Sequence, residues 1–136
     1  MADRRMAYRA NVALTRGQVV QRIANNAAGE PVCDVSTDGT IGGAEIHIGV
    51  VDADYAAGDW VTPDTGWVWA QVTAGVLTPG TEYRLSIDPA GFGVGQLEAA
   101  VVAAQQVIAT FEGSVATAGA AGELVPVYFT GSRGQL

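Results

Sequence analysis

The 136-residue sequence predicts a mainly-β protein, a small single-domain barrel or sandwich of short strands. One short helix near residues 96–106 and an extended N-terminal arm complete the expected architecture. Three observations carry that prediction. A phrase of two alanines, a glycine, an acid, any residue and a valine occurs three times, at residues 27–32, 56–61 and 120–125. The chemistry of the phrase suits a corner: small residues lead to a glycine that tolerates positive φ, and strand-forming residues follow. The second and third copies extend at a constant offset, with Gly49, Val51, Ala56, Ala57, Gly58 and Val61 matching Gly113, Val115, Ala120, Ala121, Gly122 and Val125. Eighteen glycines and five prolines punctuate the chain at the interval expected of short strands and turns. The segments between them alternate apolar and polar residues, the period of a half-buried strand.

Taken in order, residues 18–23 form the first expected strand after a charged arm over residues 1–17. Residues 31–35 follow the first Ala-Ala-Gly corner, and Ser36-Thr37-Asp38-Gly39 is a polar turn. Residues 44–51 alternate, with one wet face. The second corner leads into Trp60-Val61-Thr62, and Pro63-Asp64-Thr65-Gly66 turns the chain into Trp67-Val68-Trp69-Ala70-Gln71-Val72. A proline-glycine turn at residues 79–80 feeds a strand at 82–87. Residues 96–106 break the rhythm, because Leu97, Ala100, Val101 and Ala104 fall on one helical stripe among good helix formers. Strands at 107–112 and 124–129 close a domain running from residue 18 to 130, and residues 131–136 read as a flexible tail.

Length and composition confine the function. The apolar fraction is 49%, mostly small residues, enough for a thin sheet-like core in one domain. No apolar run approaches the roughly 20 residues that a membrane helix needs. No signal-peptide core follows the charged N-terminus, so export by that route is not expected. Cys33 is the single cysteine, so an internal disulfide is impossible, and burial as a small apolar residue is its expected role. Residues 1–22 carry a net charge of +4, the remainder −11, and the whole chain −7. A body so acidic repels nucleic acid. Lysine is absent, which removes Schiff-base chemistry and the lysine of a phosphate-binding P-loop.

Each catalytic or ligand-binding constellation has a plainer reading that suits the residues better. Residues 82–112 trace a strand, a glycine loop at 91–95, a helix and a strand, with Glu112 about twenty residues beyond Gly91. The glycines are spaced G-x-G-x-G, however, and no further units build a parallel sheet, so a surface loop before a packing helix is expected. Asp52, Asp54, Asp59 and Asp64 crowd one stretch, but their spacing matches no calcium loop, and capping of turns is the expected role. His47 is the only histidine and lacks a serine or cysteine motif around it; a strand residue with a half-exposed ring is expected. Trp67 and Trp69 share one strand face. Buried, they are core or subunit contact; exposed, they stack on sugar rings. No catalytic residue, cofactor or metal ligand is assigned, and the expected protein is no enzyme.

The order of several phrases resembles the small capsid decoration proteins of tailed bacteriophages, also called cement or head-stabilising proteins. The residues concerned are Gly29-Glu30-Pro31-Val32, then Ile48-Gly49-Val50-Val51 ahead of Ala56-Ala57-Gly58-Asp59. Leu77-Thr78-Pro79-Gly80-Thr81-Glu82-Tyr83 and Val107-Ile108-Ala109 follow, before the last Ala-Ala-Gly-Glu corner. Together they span residues 18–129; the tryptophan-rich strand and the alanine-rich segment depart from the pattern. The resemblance implies a mostly-β structural virion protein, often trimeric, that binds the outer surface of the capsid and bridges major capsid subunits after the head expands. It implies the major capsid protein and further copies of this chain as partners, with no nucleic acid or membrane, after synthesis in the host bacterial cytoplasm. Candidate capsid or subunit contacts are then Arg4, Arg5, Tyr8, Arg9 and Arg16 of the arm, with Trp67 and Trp69 of the strand. On this reading residues 2–14 dock on the shell, and their deletion leaves the domain folded. The rival readings are a virion-displayed carbohydrate-binding module using the two tryptophans, and a head-fibre or tail component.

Overall fold

The computed structural model describes residues 6–37, 46–72, 75–77, 82–85, 95–99, 107–111, 117–119 and 122–130. Among the described residues, twelve strands account for the regular structure: β1 (Tyr8–Ala10), β2 (Val19–Ile23), β3 (Val32–Val35), β4 (Ile46–Val50), β5 (Trp60–Val61) and β6 (Gly66–Val72). They continue with β7 (Gly75–Leu77), β8 (Glu82–Leu85), β9 (Leu97–Ala99), β10 (Val107–Phe111), β11 (Thr117–Gly119) and β12 (Glu123–Phe129). The chain is mainly β, and the described residues contain no helix.

One mixed sheet has the order β4-β2-β3-β1-β5, with β1 parallel to β3 and the other neighbours antiparallel. In the second group the pairings run β10-β12-β6-β9-β8 and return to β10. Its longest ladder is antiparallel β6–β12, which keeps register over seven residue pairs from Gly66–Phe129 to Val72–Glu123. The β6–β9 join is a single parallel pair, Val72 with Leu97. β7 and β11 form a separate two-stranded ribbon. Two apolar clusters result. Val19 and Val50 of the mixed sheet meet Ala70, Val72, Leu97, Val125, Val127 and Phe129 in the first. Tyr8, Ala10, Leu14, Val20, Cys33, Val35, Val51 and Val61 form the second. Adjacent Val19 and Val20 serve different clusters because successive strand side chains point to opposite faces.

The three Ala-Ala-Gly corners have the predicted conformation. Gly29, Gly58 and Gly122 have φ of 79°, 91° and 83°, and each lies one to three residues before a strand, β3, β5 and β12. Their closures differ. In the first, Gly29 N–H donates to the Asn26 carbonyl and Asn26 N–H to the Glu30 carbonyl, a short hairpin loop between β2 and β3. In the second, Asp59 N–H donates to the Ala56 carbonyl, and the Asp59 carboxylate accepts from Ala56 N–H at 2.9 Å. Gly95, at φ 77°, uses the same conformation in a crowded place. Its N–H donates to the Ser36 carbonyl, Ser36 N–H to Val19, and Val19 N–H back to Gly95, tying together the ends of β2, β3 and β9.

These two environments give different expectations for one substitution. At Gly58 an added Cβ meets nothing within 4 Å, so Gly58→Ala is expected to cost only the left-handed backbone term, about 1–2 kcal/mol. At Gly95 the Cβ lands 2.9 Å from Val35 Cγ1 and 3.2 Å from the Val19 carbonyl oxygen. Gly95→Ala therefore adds overpacking, for a total of about 2–5 kcal/mol. Chemical denaturation of the two variants measures the difference; equal losses would contradict it.

Two expectations require correction. Residues 97–99 are strand β9, paired antiparallel with β8, whereas a helix was expected from residue 96; residues 100–106 lie outside the described residues. Helix propensity is a weak prior, and here a backbone slot between β6 and β8 supplies ladder partners while Leu97 becomes completely buried. The independent arm over residues 1–17 does not hold either. Residues 1–5 lie outside the described residues, but β1 sits inside the mixed sheet between β3 and β5. Tyr8, Ala10 and Leu14 are buried, so residues 8–17 belong to the domain itself. The tail at 131–136 also lies outside the described residues.

Candidate functional site

The seven-residue ladder of β6 and β12 presents two chemically different faces. Inward, Val68, Ala70 and Val72 meet Val125, Val127 and Phe129 in the first apolar cluster. Outward, Trp67 and Trp69 are 70% and 54% exposed, and Tyr128 is 42% exposed. Their register places Tyr128 opposite Trp67 and Pro126 opposite Trp69. The Trp67 and Tyr128 rings meet edge to face, with centroids 5.2 Å apart and an interplanar angle of 79°. Such cross-strand aromatic pairs stiffen one another, so the surface is held in shape before any partner arrives.

Beside this face lies a cleft of about 140 Å³, lined by Trp67, Trp69, Val68, Asp52, Asp64 and Arg16 among others. Three backbone junctions build it. The carbonyl and N–H of Val50 exchange bonds with Asp64 at 2.9 Å each; Gly17 N–H donates to Val51; Gln71 N–H donates to the Gly17 carbonyl. The first draws the Asp64 turn against β4, the second fastens the loop bearing Arg16 to the end of β4, and the third fastens it to β6. Asp54 caps that loop by accepting from Arg16 N–H at 2.8 Å. Asp52 accepts from the Tyr55 hydroxyl at 2.5 Å, and that bond, with burial and nearby acids, pushes the Tyr55 phenol up to about 12. Asp54 and Asp59 thus cap backbone N–H groups, and Asp52 holds a neighbouring side chain. Among the described residues no group of three or more histidines, cysteines and acids is disposed to hold a metal ion.

The arm residues fare differently from one another. Arg4 and Arg5 lie outside the described residues. Tyr8 is buried, and its hydroxyl approaches Met6 Sδ at 3.8 Å. Arg9 is committed within the chain: its guanidinium stands 4.1 Å over the Trp60 ring, pairs with Glu30 at 3.2 Å and donates to the Gly58 carbonyl at 3.0 Å. Hydrogen bonds from Asn26 and then Arg9 hold the Glu30 carboxyl below its ordinary 4.5. A depressed acid contributes stability above its unfolded value, so this clamp on β1 is intact at neutral pH and fails as pH falls through the acid range. Arg16 is exposed at the cleft. Of the seven candidates, Arg16, Trp67 and Trp69 come together, and Tyr128, Asp52 and Asp64 were missed. Tyr128 could have been found from the strand period, since it alternates with inward Val127 and Phe129; pairing with Trp67 depends on register.

The remaining candidates are structural. His47 is buried rather than half exposed, with Nδ1 2.8 Å from Ser36 Oγ. Cys33 is fully buried, as expected, and burial followed by the nearby Asp34 charge pushes its thiol up to about 11, which suppresses thiolate reactivity at neutral pH. The strands on either side of the glycine-rich loop, β8 and β10, pair antiparallel with each other, a geometry incompatible with the parallel βαβ unit of a dinucleotide site; residues 91–94 lie outside the described residues.

Comparison with known proteins adds one finding. No family model matches the chain, and no curated protein matches it. Among solved structures, it is similar to the N base of the head fibre gp8.5 of bacteriophage phi29. The TM-score is 0.59 at 13% identity, over 96% of this chain and 95% of that one. The chain therefore shares the overall fold of a phage head-fibre base.

Proposed function

We infer that this chain is a structural protein of a bacteriophage head, seated on the outer surface of the virion and acting by adhesion. The observation that carries this reading is the fold likeness to a head-fibre base over nearly the full length of both chains. The body supports it: an acidic, lysine-free chain of closely paired strands suits contact with other proteins. The finer reading is that copies of the chain, as a trimer, bridge neighbouring major capsid subunits and stabilise the expanded head. Many weak sites on a shell reinforce it collectively, since each binds the expanded form in preference. With Arg9 committed to Glu30 and Trp60, Arg4 and Arg5 are the basic residues left to the N-terminal contact.

The test is co-sedimentation with purified heads of the cognate phage before and after expansion, with light scattering on the free protein. Saturable binding to expanded heads is expected, and Arg4→Ala with Arg5→Ala is expected to weaken it at least about fivefold, the loss of two charge-assisted contacts. Absence of binding to either form would overturn the reading.

A further inference from the structure

The geometry points to the Trp67–Trp69 cleft as a saccharide-binding site, a function separate from attachment to the head. A pyranose has a face of C–H groups and an edge of hydroxyls, so its receptor needs a flat π surface beside both donors and acceptors. The cleft assembles all three. Trp67 and Trp69 stand on one strand face about 7 Å apart, two residues along the strand, and both rings are more than half exposed. Asp52 and Asp64 supply carboxylate acceptors at the rim. Asp52 retains acceptor capacity after its bond from Tyr55, since a carboxylate offers about four lone-pair sites. Arg16 supplies donors, and its guanidinium has no ion-pair partner among the described residues.

Other occupants suit the lining less well. A basic side chain seated on the tryptophans would be drawn to Asp52 and Asp64 but would leave the Arg16 guanidinium facing a like charge with no acceptor. A purely apolar segment would cover Asp52, Asp64 and Arg16 without offering them hydrogen bonds, at the cost of desolvating each. A neutral polyol with one apolar face stacks on the tryptophans and offers hydroxyls to both Asp52 and Arg16. The site is also shaped in advance: the edge-to-face contact with Tyr128 supports Trp67, and the Val50–Asp64 and Gly17–Gln71 junctions hold the rim. A shallow platform of this size binds weakly as a single copy, and repetition over a virion raises its avidity.

Saturation-transfer NMR and titration calorimetry of the full chain, with chitotriose, cellotriose and maltotriose as soluble probes and a glycan array for breadth, test the assignment. At least one pyranose oligosaccharide is expected to bind at millimolar concentration or below. Trp67→Ala with Trp69→Ala is expected to abolish binding while the chain still unfolds cooperatively, its melting temperature lowered only by the loss of the Trp67–Tyr128 edge contact, because both side chains are exposed. Arg16→Met keeps the apolar stem and is expected to weaken binding about tenfold, the size of one hydrogen bond to a charged group. Failure of all saccharides to bind overturns the inference. So does a double variant that loses self-association or head binding while saccharide binding persists unchanged. Head attachment without any saccharide binding leaves the structural role standing and removes only this site.

Discussion

Deletion of residues 1–14 is expected to abolish the cooperative unfolding transition and to leave a chain without native chemical-shift dispersion. Beyond the β1 ladders with β3 and β5, six backbone hydrogen bonds among the described residues join this segment to the rest of the molecule. Arg9, Ala10, Asn11 and Leu14 donate to Pro31, Asp59, Cys33 and Tyr55, while Tyr55 and Gly58 donate back to Leu14 and Ala10. Removing β1 separates β3 from β5 in the middle of the mixed sheet. It also takes Tyr8, Ala10 and Leu14 out of the second apolar cluster. Burial of Tyr8 and Leu14 contributes about 1.5–3 kcal/mol each, against a total stability for a domain of about 5–15 kcal/mol. The lost ladder bonds and the unfilled space beneath them consume the remainder. A melting curve and an amide correlation spectrum of the truncated chain decide the matter; native dispersion in the deletion would show that β1 is dispensable. This outcome reverses the sequence-based expectation of a detachable arm, and it makes deletion of residues 1–14 unusable as a test of head binding.

The second large effect is expected from Phe129→Ala. Phe129 ends β12, pairs with Gly66 of β6 and Ala109 of β10, and is 1% exposed in the first cluster. Truncating such a ring removes its transfer term and leaves a cavity, together about 3–5 kcal/mol. For a chain of this length the melting temperature should fall by about 10 °C or more. Tyr128→Ala, one residue earlier on the outward face, is expected to cost less than about 1 kcal/mol beyond its edge contact with Trp67. Calorimetry of the pair reads the sidedness of β12 directly. Similar losses in both variants would mean that the strand is covered on both faces.

Much of the fold was legible because it depends on local pattern. Alternation from Ile46 to Val50, and runs of strand-forming residues from Val19 to Ile23 and from Gly66 to Val72, mark strands whatever they pair with. The glycine corners were legible for a backbone reason: the positive φ at Gly29, Gly58 and Gly122 is intrinsic to glycine and needs no partner. Tyr8–Ala10 and Leu97–Ala99 were misread because three-residue strands carry too little pattern. Each exists because distant strands, β3 with β5 and β6 with β8, leave a slot between them. In the candidate site, the shared face of Trp67 and Trp69 followed from the strand period, but exposure did not, because either face of a strand can be the buried one.

The sequence by itself determined the strand-and-corner character of this protein, its acidic charge and the side-by-side placement of two tryptophans, all properties set within a few residues of chain. The tertiary structure decided which corners matter. Gly58 leads to a two-residue edge strand and Gly122 to the long strand that walls the core, although the two phrases are nearly identical. It also decided that Asp52, Asp64 and Arg16 meet Trp67 and Trp69 in one cleft. Register and sheet order arise from contacts between residues far apart in the chain, and no local pattern encodes them.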